Sequence, residues 1–320
     1  MITEPAASDS DEVRALRDEV ATLRSIVKAM ETSRSWRLTA PLRRTAERLR
    51  AGTPARLLRR ARRSMSSRGN LRAGPVPAAP SGVSTGTVCA IVHVYYPDLL
   101  GEIVDRLERC ESLRLVLVTH PSHVAAEGIQ RALLPLSARG VLVETTVLAN
   151  RGRDVLPFVT ILPRALNSGC DVFVKMHTKR SPHLGAEGDR WRTTLLDGLL
   201  TSPNDISDLV AFIASDPNFG FAVTLEHAGA REHWASNRAN VKSLARRAGI
   251  RVPRQLVFPA GNMYWCSRGW LECLAALGLT ADDFEPEEGQ VDGTTAHAVE
   301  RLIGCYTSTS RATIWLLQAS

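Results

Sequence analysis

Aromatic residues make up only 5% of this 320-residue chain, and no apolar run approaches the ~18 residues that a membrane-spanning helix needs. Met1 to Glu12 is acidic and lacks the charged-then-apolar layout of a secretion signal. A cytoplasmic location is the expectation. Neither GxGxxG after the first strand nor GxxxxGKS/T occurs, which leaves dinucleotide and P-loop readings without support. The HExxH zinc pair and the GxSxG elbow are also missing, so metalloprotease and serine hydrolase drop out. Six cysteines (89, 110, 170, 266, 273 and 305) form no CxxC pair, and several sit in apolar runs as small reduced core residues. Neither disulfides nor zinc is expected. His120 and His123, three apart with no carboxylate or Cys nearby, read as structural or surface residues.

What is present divides the chain in two. Residues 1–75 hold 17 Lys+Arg against 8 Asp+Glu, a net of +9, while 76–320 hold 23 against 25, a net of −2. Within 34–72 there are 13 basic residues and the single Glu47, which points to an anionic surface such as lipid headgroups or nucleic acid. At 44% apolar content the remainder can bury a substantial core.

Val13, Leu16, Val20, Leu23, Val27 and Met30 follow a 3-4-3-4-3 spacing, an a/d seam of nearly three heptads. This predicts a short coiled-coil helix over 1–32 and a route to a homo-oligomer through 13–30; packing of the helix on its own domain competes. Residues 33–63 carry a capping Ser or Thr before Pro41, then Leu38, Leu42, Leu49, Leu57, Leu58 and Trp36 among many Arg, the pattern of a basic amphipathic helix. Such a helix over 34–63 suits an anionic membrane surface, each basic residue contributing roughly 1 kcal/mol. Residues 64–86, rich in Ser, Gly, Pro and Ala, read as a flexible linker.

From 87 to 320 strand and helix patterns alternate. Strands are expected at 88–96, 113–119, 141–148 and 171–177, with helices at 97–109, 124–137 and 154–167 between them. This is the signature of βαβ units and a mostly parallel sheet. The order then loosens, with strands near 220–225, 262–266 and 312–317 among further helices.

Cys170-Asp-Val-Phe-Val174 leads into Lys175-Met-His-Thr-Lys-Arg-Ser181. Side chains of a strand alternate, so Lys175, His177 and Lys179 share one face. At the carboxyl end of a sheet strand, where open α/β folds bind ligands, such a cationic comb suits an anionic ligand. A solvated basic turn is the competing reading. Asn150-Arg-Gly-Arg-Asp154 ends another strand and opens a helix; Gly152 permits close backbone approach, and the helix N-terminus attracts negative charge. Asp154 reads equally as a helix N-cap.

These segments, with His93-Val-Tyr-Tyr-Pro97, Trp191-Arg192, Gly261-Asn-Met-Tyr-Trp265 and Gln290-Val-Asp-Gly-Thr-Thr-Ala-His-Ala-Val-Glu-Arg301, resemble in order the rhamnan synthesis protein F family over about 88–305. Members are glycosyltransferase-like proteins of bacterial cell-surface polysaccharide assembly. The resemblance implies a GT-A-like α/β domain and transfer of a sugar, plausibly rhamnose from dTDP-rhamnose, to a growing lipid-linked glycan at the inner face of the plasma membrane. It further implies a nucleotide sugar as partner.

GT-A enzymes hold a divalent cation with an Asp-x-Asp at the end of the fourth strand. Here Lys175 and His177 occupy that place, so direct neutralisation of the diphosphate and no metal or other cofactor are expected. The departure also fits a different donor or lost activity. The donor set is Lys175, His177, Lys179, Asn150, Arg153 and Asp154, with His93 and Tyr95 towards the nucleotide base. An inverting transfer needs a carboxylate base. Asp292 is the first candidate, Glu288 the second, and His297 accompanies them; Asp292 reads equally as a helix cap. Trp191, Arg192, Asn262, Trp265, Glu300 and Arg301 are assigned to the acceptor or sugar. Burial competes for Tyr264 and Trp265, and an exposed salt-bridged face competes for His297, Glu300 and Arg301. Gly261 predicts close approach by another backbone or a ligand.

Two alternatives stand beside the transferase: a non-catalytic scaffold that binds sugar nucleotide, and a nucleic-acid binder. Against the last, the globular part is slightly acidic and poor in aromatics, so nucleic acid is not an expected partner.

Overall fold

A computed structural model describes residues 71–79, 86–180, 186–230, 234–253, 256–290, 292–310 and 312–318. The expected coiled coil and basic helix lie outside these residues. The elements run β1 (Leu71–Gly74), β2 (Val88–His93), α1 (Leu100–Leu107), β3 (Leu113–Pro121), α2 (Ala126–Ala138), β4 (Leu142–Leu148), α3 (Val155–Leu166), β5 (Val172–His177), α4 (Ala186–Leu199), α5 (Pro203–Ser215), β6 (Phe219–Thr224), β7 (Ala228–Ala230), α6 (Arg238–Arg247), β8 (Val257–Pro259), β9 (Tyr264–Ser267), α7 (Arg268–Ala275), α8 (Thr295–Ser310) and β10 (Thr313–Leu317).

Eight strands form one sheet in the order β1-β10-β6-β9-β5-β2-β3-β4, parallel throughout except for β9. The mostly parallel α/β expectation holds. Strands covered on both faces read as continuous apolar runs, and β2, β5 and β6 are buried at every residue. Alternation sorts their side chains between two layers. Val88, Ala90, Val92, Val174 and Met176 pack with α1, α2, α4 and α5, whereas Cys89, Ile91 and Phe173 pack with α3 and α7. The second face carries the site, because Lys175 and His177 follow Phe173 on it.

Two local features depart from the expected pattern. Leu71–Gly74, placed in the linker by composition, pairs in parallel with β10, from Leu71 opposite Ile314 to Gly74 opposite Leu317. Leu71 is buried in the core, so these four residues belong to the sheet. Before the strand expected near 262–266 lies a further one: β8 pairs antiparallel with β7 in a small second sheet, and a turn at 260–262 redirects the chain into β9. Gly261 makes that turn at φ +85°, and a Cβ there would lie 2.2 Å from Trp191 Cη2. Its close neighbour is therefore an indole ring, not a backbone.

The six cysteines are free thiols, all buried except the half-buried Cys273.

Candidate functional site

The chain leaves β2 to build β3 and β4 on one side and returns to place β5 on the other, so the strand order reverses between β2 and β5. Ligands of open α/β sheets bind in the crevice outside such a reversal. The last residues of the two strands, His93 and His177, face each other in register. Thr178 ties the strand ends together: its N–H donates to the His93 carbonyl, and its Oγ1 accepts from the Tyr95 and Tyr96 N–H groups, each at 2.9 Å. A cavity of about 510 Å³ opens above them.

One buried cluster anchors the wall. Lys175 Nζ donates to Asp154 Oδ2 at 2.5 Å and to the Asn262 carbonyl at 2.8 Å, and Asn262 Nδ2 donates to the same Asp154 oxygen at 2.7 Å. Asp154 stands at the N-cap position of α3 yet makes no capping bond, so its side chain belongs to the cluster. Burial pushes its carboxyl up, but His177, Lys175 and the Lys175 hydrogen bond outweigh that and hold it below the usual carboxylate range. The backbone is bent to suit: Arg153 (φ 54°) and Asn262 (φ 55°) both adopt the left-handed conformation. Each follows a glycine that is itself left-handed, Gly152 or Gly261. A Cβ on Gly152 would strike Leu156 and Phe284, so this glycine serves packing instead of ligand approach.

The cavity brings together most of the donor set: His93, Tyr95, Asn150, Arg153, Asp154, His177 and Lys179. Lys175 lies behind the wall at 2% exposure, its charge committed to Asp154, so the expected comb of free cations is reduced. His297, Asn262 and Glu300 also line the cavity. Asp292 and Glu288 do not. Asp292 accepts from Ser236 N at 2.9 Å and Asn237 Nδ2 at 2.6 Å, which ties its loop to the start of α6; it does not cap α8, whose first N–H, at Thr295, is taken by Glu285. Glu288 is exposed outside the lining.

The acceptor residues divide similarly. Trp265 is fully buried, its Nε1 donating to the Leu199 carbonyl. Arg192 is committed to Glu102 and Asp189, and Arg301 packs over Phe258 with Nη1 on the His297 carbonyl. None of these three reaches the cavity, so they are withdrawn from substrate contact. Trp191 adjoins it, one ring face covered by Lys179 Nζ at 4.4 Å. Sequence reasoning missed Glu287, whose Oε1 accepts from Arg153 N at 3.0 Å, and Arg180, which pairs with Asp98. Arg180 sat within the basic motif; Glu287 carried no local signal.

At β5's end, the place at which GT-A enzymes carry a metal-binding Asp-x-Asp, this chain has Lys175 and His177, and a Lys ammonium cannot ligate a divalent cation. Asp154 is taken by an ammonium, and among the described residues no group of three or more His, Cys, Asp or Glu is arranged to hold a metal.

Burial pushes His93, His227 and His297 down to about 4 and His177 to about 3, from an ordinary 6.5. The unfolded chain therefore binds protons that the folded chain refuses between pH 6.5 and about 4. Stability is full above 6.5 and declines as pH falls through that window, while burial of Glu300, which raises its carboxyl, acts in the opposite sense. Thermal melts at pH 7.5 and 4.5 should show the lower midpoint at 4.5, with the gap narrowed in His177→Phe. Equal midpoints would contradict this.

The model of the family described as rhamnan synthesis protein F matches residues 76–312. The chain belongs to that family. Two similar curated relatives, each called "Uncharacterized protein WxcX", come from two strains of Xanthomonas campestris pv. campestris. Each is 33% identical over 233 residues, 71% of this chain and 32% of the relative. The chain thus spans about a third of the length of the curated relatives it matches. Among solved structures, the mannosyltransferase PcManGT from Pyrobaculum calidifontis, in complex with GDP-Man and Mn2+, is a distant likeness. It is 17% identical with a TM-score of 0.40, over 75% of this chain and 59% of that one. The rhamnan synthesis F match takes in β2 to α8 and thus every residue lining the cavity. No helix among the described residues is long and apolar enough to cross a membrane.

Proposed function

We propose that this rhamnan synthesis F chain is a GT-A-like, inverting glycosyltransferase that moves a sugar, rhamnose in the first instance, from a nucleotide diphosphate to a lipid-linked surface polysaccharide. The observation that carries the reading is convergence. His93, Asp154, His177, Asn262, His297 and Glu300, drawn from five separated sequence motifs, wall one cavity at the strand-order reversal.

In this mechanism the acceptor hydroxyl oxygen attacks the anomeric carbon, the bond from that carbon to the diphosphate oxygen breaks, and a carboxylate takes the hydroxyl proton. The base works best with an affinity near the ambient pH. Asp154 is held too acidic by the Lys175 ammonium, and Asp292 lies outside the cavity. Glu300 lines it, and burial raises its carboxyl despite the opposing Arg301. Glu300 is therefore the proposed base, in place of Asp292. Lys179, Arg153 and Arg180 are proposed to offset the diphosphate charge without a metal. Residues 34–63 would hold the chain on the anionic inner membrane face and residues 13–30 would pair copies.

A thermal-shift screen against dTDP-, UDP- and GDP-linked sugars tests donor binding. At ligand one hundredfold above Kd the midpoint should rise by about 5–10 °C and stay there when EDTA is added. No rise with any nucleotide sugar would contradict the transferase; a rise abolished by EDTA would contradict the metal-free site.

A further inference from the structure

The cavity wall is divided chemically. Asn262 at 3% and His177 at 7% exposure are enclosed lining residues beside Asp154, whereas Arg180 and Asn150 are exposed at the opening. The enclosed end has little free positive charge, since the Lys175 ammonium is spent on Asp154 and the Asn262 carbonyl. His177 is neutral near pH 7 because burial pushes it to about 3.

Hydrogen-bonding capacity there is left over on two buried atoms, one of them an amide oxygen that can only accept. An ionised carboxylate only accepts, so the Asn262 amide atom facing Asp154 Oδ2 at 2.7 Å must be the NH2 group. That fixes the amide orientation, and Asn262 Oδ1 is buried without a hydrogen-bond partner. His177 Nδ1 lies 3.4 Å from Asp154 Oδ2 and is likewise unbonded. Buried polar atoms are rarely left unmatched in native structures, and those that are need an explanation.

A phosphate oxygen at neutral pH can only accept. Placed here it would meet a carboxylate and a carbonyl-type acceptor. A hydroxyl both donates and accepts, and it matches. The opening differs: Lys179 has no carboxylate within ion-pairing distance among the described residues, and its ammonium lies over Trp191. We infer that Asp154, His177 and Asn262 form a subsite for an uncharged sugar, reading one of its hydroxyls, while the diphosphate lies outward against Lys179. Sugars bearing a carboxylate are excluded from it. This inference rests on the transferase reading above and names the class of sugar that the site takes.

Calorimetric titration of the full chain tests it, with dTDP-rhamnose, UDP-glucose and GDP-mannose set against dTDP, UDP, GDP and UDP-glucuronate. Asn262→Gly keeps the left-handed backbone accessible. It should weaken the preferred nucleotide sugar about tenfold, equivalent to ~1.4 kcal/mol, and leave the bare diphosphate unchanged; His177→Phe, a second variant should the first misfold, should do the same. Lys179→Ala should weaken sugar nucleotide and diphosphate alike, and UDP-glucuronate should bind at least tenfold more weakly than UDP-glucose. Equal losses for diphosphate and sugar nucleotide in Asn262→Gly and His177→Phe, or glucuronate binding as tightly as glucose, would overturn the subsite and leave the transferase standing. Wild-type chain that binds no nucleotide or nucleotide sugar would overturn both.

Discussion

Lys175→Ala should destabilise the folded chain by up to about 3–5 kcal/mol, because it leaves a carboxylate that is only 16% exposed without its counter-ion. Lys175 is 2% exposed, and its Nζ is the cation that holds Asp154 at 2.5 Å. The Asn262 carbonyl loses a charged donor in the same step. Against a typical domain stability of about 5–15 kcal/mol, that is a large fraction of the whole. Sugar transfer should fall with it, partly through loss of folded chain. The double variant Lys175→Met with Asp154→Leu separates the two effects: replacing both charges by apolar groups should recover most of the stability, yet transfer should stay absent because Asp154 lines the cavity. Denaturant unfolding of the three chains supplies the comparison. A Lys175→Ala chain within about 1 kcal/mol of wild type would mean that the ion pair is not the structural anchor inferred here.

Glu300→Gln should lower kcat by about 10²–10⁴-fold, the usual contribution of a positioned acid or base. Nucleotide-sugar affinity and melting midpoint should change little, since the amide keeps the shape and burying it costs less than burying a carboxylate. Asp292→Asn should have the opposite profile. Both Asp292 oxygens serve the start of α6, through Ser236 N and the Asn237 amide. The expected loss is about 1 kcal/mol of stability, as for a helix cap, with kcat close to wild type. Steady-state kinetics and calorimetry on the two variants distinguish the carboxylates. A dead Asp292→Asn beside an active Glu300→Gln would reverse the assignment.

Much of the sheet was legible because buried parallel strands and their crossover helices carry different periods. Val88–Val92 and Val172–Val174 read as apolar runs, and the helices between them as 3.6-period patterns. Short elements were not legible. β1 has four residues in a Ser- and Pro-rich stretch, and β7 and β8 have three each, too few for a period to register.

The site shows the same limit at the level of partners. The strand alternation correctly put Lys175 and His177 on one face, but it could not show that Asp154, 21 residues earlier, would consume the Lys175 charge. Asp292 looked like a base from its place before a helix, while its hydrogen-bond donors lie 55 and 56 residues away in the chain. Arg192 and Trp265 belong to recognisable motifs, yet burial against Glu102 and Leu199 gives them structural work. Burial and pairing are tertiary properties, and local residue types constrain them weakly.

A crystal structure of the chain with its preferred nucleotide sugar tests the central claim most directly. The account predicts the sugar ring within hydrogen-bonding distance of Asn262 and the Glu300 carboxylate, and the diphosphate beside Lys179 with no metal ion between its phosphates. A nucleotide sugar seated outside the cavity walled by His93, His177 and His297, or a diphosphate held by a cation on Asp154, would contradict it.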